Sequence, residues 1–133
     1  MNMKKLLFPL VLLLLTACGS SRKVKVTGVE IPVARYEISE VYLERLGYTV
    51  SFNPETNIPN WVAWELTYDE ADGPVPRKDD FEVAEGVNGC ALPSDYYKSG
   101  YDRGHMAPAG DMKWSEVAME ESFYMSNICP QDH

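Results

Sequence analysis

Between Tyr48 and Tyr68 two apolar stretches flank a block of turn formers, and that pattern commits the chain to a hairpin in its core. Tyr48-Thr49-Val50-Ser51-Phe52-Asn53 alternates apolar and polar residues, the period of a strand with one buried face. Asn53-Pro54-Glu55-Thr56-Asn57-Ile58-Pro59-Asn60 is dense in residues that reverse the backbone. Trp61 to Tyr68 is nearly continuous in apolar residues, which predicts a second strand in a central position, with Trp61 and Trp64 as core.

The rest of the chain alternates short elements with loops. Tyr36 to Leu46 is amphipathic without a clear period. Asp69 to Pro76 is a loop around Asp72-Gly73-Pro74, Arg77 to Val83 reads as a short strand, and Glu82 to Ser94 as loop. Ser99 to Ala109 is polar and punctuated by glycine, a loop leading into a short strand, where reactive groups tend to sit. Ser115 can cap a short helix from Glu116 to about Ser122, with Val117 and Met119 among its apolar residues. Phe123 to Ile128 reads as the next strand. The class is α+β with a mixed or antiparallel sheet.

The first residues are an address and not fold. Lys4 and Lys5 precede an apolar run, Leu6 to Leu15, that is too short for a stable membrane span. Leu15-Thr16-Ala17-Cys18 resembles the lipobox of bacterial lipoproteins. This implies cleavage of residues 1–17, a lipid on the Cys18 thiol, and a tether over residues 18–35 holding a domain at 36–133 on the membrane of a bacterial envelope, facing the periplasm. Loss of Lys4 and Lys5 leaves 10 Lys and Arg against 20 Asp and Glu, a net charge of −10. This counts against a tight, basic nucleic-acid binder and predicts weak, salt-sensitive phosphate contacts that rely on local cations. Cys90 and Cys129 remain as an even pair that either bridges or stays as two thiols.

The chemistry concentrates in Tyr101-Asp102-Arg103-Gly104-His105, with Asn127 following 22 positions after His105. The set supplies a base near neutral pH, a fixed cation for a phosphate and a neutral oxygen for a hard metal ion. Each piece also has a plainer reading. His105 could be a surface or core histidine, Arg103 could pair with Asp102, and Asn127 could be a turn residue.

Four ordered motifs join these residues to a known family. Trp61-Val62-Ala63-Trp64-Glu65-Leu66, Asp102-Arg103-Gly104-His105, Phe123-Tyr124-Met125-Ser126-Asn127 and Ser126-Asn127-Ile128-Cys129-Pro130-Gln131 resemble the successive signatures of the DNA/RNA non-specific endonucleases. The resemblance spans about residues 45 to 131. It implies the ββα-metal (His-Me finger) fold and a chain that stops before that fold's metal-supporting helix. It implies Mg²⁺-dependent cleavage, with Mn²⁺ as a substitute, on the phosphate backbone of DNA and RNA.

By this resemblance His105 is the general base, Arg103 holds a phosphate oxygen, Asp102 anchors the loop or a metal water, and Asn127 is the metal ligand. Arg77 matches loosely a phosphate-contacting arginine, or is a solvated surface residue. Two other readings compete: a catalytically silent lipoprotein that keeps the fold, and a zinc site at Cys129 and His133.

Overall fold

A computed structural model describes residues 31–33 and 35–133. The signal segment, Cys18 and most of the tether lie outside the described residues. Among the described residues five strands form two antiparallel sheets, accompanied by one α-helix, α1 (Glu116–Ser122). Strands β1 (Val41–Glu44), β2 (Thr49–Asn53) and β3 (Ile58–Ala63) make a three-stranded sheet in chain order. Strands β4 (Asp102–His105) and β5 (Ile128–Gln131) make a two-stranded ribbon.

The hairpin forms where the alternation places it, with differences in its second arm. β3 starts earlier than Trp61 and ends at Ala63, opposite Thr49, because β2 has no further residue to pair. Glu65 to Tyr68 leave the sheet, and Tyr68 is exposed. β3 is an edge and β2 is the centre, contrary to the expectation of a central Trp61–Tyr68 strand. Pro59 has no N–H to give a second neighbour, which suits an edge. The register slips beside it, where Ser51 pairs with Trp61 and Phe52 with Pro59. Neither tryptophan of the motif is fully buried: Trp61 packs edge-on against Tyr42, and the Trp64 indole N–H donates to Asp111 Oδ2 at 2.9 Å.

One face of the sheet, Tyr48, Val50 and Phe52, packs against Met112, Ala118, Ala84, Val87 and Ala107 to form the main core. The amphipathic stretch before it supplies β1 and covers the remaining edge of β2. α1 begins as expected, with the Ser115 hydroxyl accepting from Ala118 N. It presents Ala118 to the main core and Met119 to a second, smaller cluster with Phe123, Ala109, Val75 and Phe81, while Val117 is exposed.

Two strand expectations fail. Residues 77–83 are extended with one isolated bridge, Glu82 to Tyr124, and no ladder. Residues 125–127 form a 3-10 turn, so the final strand begins only at Ile128. Cys90 and Cys129 are free thiols, and burial pushes the Cys90 thiol up to about 11, far from a reactive thiolate.

Candidate active site

β4 carries the motif Asp102-Arg103-Gly104-His105 and pairs with β5 so that Gly104 opposes Cys129 and His105 opposes Ile128. Side chains alternate along a strand, which puts Arg103 and His105 on one face and Asp102 and Gly104 on the other. Gly104 is required for close approach: a Cβ there would meet the Gln131 side chain at 2.8 Å and the Cys129 carbonyl oxygen at 3.1 Å.

Asn127 fixes the end of this strand. Its side chain is fully buried. The Oδ1 accepts from Ala107 N at 2.8 Å, and the Nδ2 donates to Ala107 O at 3.0 Å and Ser122 O at 2.8 Å. Its backbone carbonyl accepts from Met106 N at 2.9 Å. The residues that follow His105 are thus clamped to the end of α1 and to the start of β5. This differs from the expectation that Asn127 ligates a metal. A ligand oxygen must face an open coordination position, whereas this oxygen is enclosed and engaged by a backbone N–H. Asn127 as placed does not fit Mg²⁺. Among the described residues no group of three or more His, Cys, Asp and Glu side chains is arranged to hold an ion, and that includes Cys129 and His133.

His105 stands at the edge of the smaller apolar cluster. Its ring meets Phe123 edge-on, with centroids 4.8 Å apart and planes at 85°, and meets Phe81 at 5.4 Å. Phe81 and Phe123 meet each other at 5.0 Å. Each phenyl ring also carries a guanidinium, with Arg103 Cζ 4.1 Å from the Phe81 centroid and Arg77 Cζ 5.0 Å from the Phe123 centroid. Both contacts have the cation–π arrangement, which steadies a long side chain without consuming its N–H donors. The structure thus brings His105, Arg103 and Arg77 into one cluster.

The electrostatics follow from that packing. Burial, and secondly the charge of Arg77, lower the His105 pKa to about 4, with Asp79 opposing. The imidazole is therefore neutral at physiological pH. Nε2 is sealed from solvent with no hydrogen-bond partner, so Nδ1 is the nitrogen left to reach an incoming water. Arg103 makes no salt bridge among the described residues; Asp102 is instead 2.9 Å from His133 Nδ1. Arg77 holds Asp79 at 2.9 Å on the exposed surface, where such a pair is weak.

Reading the sequence alone missed the two phenylalanines that organise the cluster. Phe81 is an apolar residue after Lys78-Asp79-Asp80, and a large aromatic in an otherwise charged stretch is the signal that could have marked it. Phe123 was visible only as part of a strand motif.

The sequence profile of a family described as DNA/RNA non-specific endonuclease matches residues 26–133. The mitochondrial nuclease EXOG of Danio rerio is 41% identical over 115 residues, covering 80% of this chain and 33% of that protein. Human mitochondrial endonuclease G is 37% identical over 90 residues, covering 65% of this chain and 30% of that protein. A solved structure described as the EndoG/EndoGI complex superposes with a TM-score of 0.66 at 34% identity, covering 69% of this chain and 40% of that one. The chain spans about a third of the length of these curated relatives.

Proposed function

The chain belongs to the DNA/RNA non-specific endonuclease family, and from that footing we propose that it hydrolyses phosphodiester bonds of DNA and RNA with His105 as general base. The observation that carries this reading is His105 packed against two aromatic rings that each support an arginine. Hydrolysis needs a proton acceptor for the attacking water and cations for the phosphate. Nδ1 of His105 takes the proton. Arg103 and Arg77 hold non-bridging phosphate oxygens, with N–H donors that the ring contacts leave free. An anion bound there offsets the field of Arg77 on His105, so the base becomes stronger as substrate arrives. These contacts read phosphate and not base edges, so cleavage carries no sequence choice.

Asn127 acts in this scheme by holding the backbone after His105. The Mg²⁺ requirement that the family resemblance implies belongs to the proposal, with ligands other than Asn127. Attachment to a bacterial envelope membrane through a lipid on Cys18 belongs to it too. Plasmid incubated with Mg²⁺ and the full-length protein that carries this sequence is expected to be degraded, and to survive with EDTA or with His105→Ala. Degradation by the His105→Ala protein would refute the assignment. Membrane fractionation of Cys18→Ser tests the anchor, and unchanged membrane partitioning would remove it.

A further inference from the structure

We propose that the loop Leu92–Tyr101 is a stacking subsite for an unpaired base flanking the cleaved phosphate, with Tyr97 as its platform; this rests on the nuclease reading above. A cleft of about 400 Å³ opens beside β4, and Tyr97, Lys98, Tyr101 and Arg103 are among its walls. Arg103 is common to the cleft and to the His105 cluster. A phosphate on that guanidinium places the adjoining nucleotide at the mouth of the cleft.

The loop offers aromatic surface at that mouth on a backbone held by hydrogen bonds. Tyr97 is 76% exposed and Tyr101 52%. Lys98 and Gly100 take positive φ, 57° and 86°, so the chain turns sharply on either side of Ser99. The Ser99 hydroxyl donates to Tyr96 O at 2.9 Å and accepts from Tyr101 N at 3.1 Å. At the start of the loop Leu92 N donates to Asp95 Oδ2 at 2.8 Å. A loop held in this way loses little backbone freedom when a ligand covers it. Lys98 Nζ lies over one face of the Tyr97 ring, 5.1 Å from its centroid, so a stacking base takes the opposite face with that charge behind the ring. The carboxylate of the cleft, Asp102, faces His133.

Every base has a π face, so a tyrosine platform accepts any of them and keeps cleavage indifferent to sequence. In a duplex that face is covered by neighbouring pairs. The occupant is therefore a single-stranded segment.

The test measures cleavage by the full-length protein that carries this sequence of a fluorescent single-stranded oligonucleotide and of the same sequence as a duplex. Tyr97→Ala is expected to raise KM on the single strand about tenfold, the typical effect of losing one stacked base. The effect should be smaller on the duplex. The salt dependence of KM should persist, since stacking releases no counterions. Tyr97→Trp should restore the single-strand KM. Circular dichroism should show Tyr97→Ala folded, as the ring is exposed. An unchanged single-strand KM, or equal losses on both substrates, would overturn the subsite and leave the nuclease assignment standing. Absence of cleavage of either substrate by the wild-type full-length protein would overturn the nuclease reading and the subsite with it.

Discussion

In the three-stranded sheet the central strand β2 has four of its five residues buried, whereas in the two-stranded ribbon β4 has only Gly104 buried. The first sheet is shaped by apolar periodicity: Val50 and Phe52 face the core, and the neighbouring strands follow. The ribbon has two strands of four residues each, too little to stand alone in water. Backbone complementarity at Gly104 and the polar clamp of Asn127 hold it instead. A strand held through its backbone and through its Gly104 face is free to present the opposite face, with Arg103 and His105, to chemistry. That is how His105 and Arg103 come to be fixed in position at the surface.

The contrast can be broken by mutation. His105→Ala should cost the most in function and little in folding, lowering the cleavage rate by roughly 10²–10⁴, the range for loss of a general base. Retention of nearly all activity would detach the ribbon from the chemistry. Phe52→Ala attacks the apolar sheet and should cost about 3–5 kcal/mol in denaturant unfolding. A small loss there would mean that burial does not dominate the sheet. Asn127→Ala leaves the Ala107 N–H, the Ala107 carbonyl and the Ser122 carbonyl without partners in a buried place, which should cost roughly 3 kcal/mol. It should also lower kcat in the surviving folded protein, because the backbone beyond His105 loosens. A loss of Mg²⁺ affinity with stability unchanged would return Asn127 to the role of ligand.

What the sequence made legible divides along the same line. The hairpin was readable because alternation over residues 48–53 and the turn formers after it are local signals. So were the Ser115 cap and α1, which depend on neighbours within one turn. The ribbon was half readable. His105 and Arg103 lie in one linear motif, but their partner strand lies more than 20 residues downstream and carries no period, so residues 123–128 were read as a strand when the pairing starts at Ile128. Asn127 was recognised as important with the wrong role, because a motif marks a position without saying whether the side chain faces a ligand or the backbone. The strand read over residues 77–83 failed for a related reason: the extended chain there is held by Phe81 under His105 and Arg103 and not by a ladder.

The central claim is that packing keeps His105 neutral, so the acid limb of kcat/KM is the direct measurement, since it reports the free enzyme's essential base. A base works unprotonated, so activity is lost as pH falls through its pKa. Burial and Arg77 place that loss at about pH 4, below the ordinary histidine value of 6.5. Arg77→Ala should move the limb upward, because it removes a cation that disfavours the protonated ring. A wild-type limb at or above 6.5, unmoved by Arg77→Ala, would contradict the account.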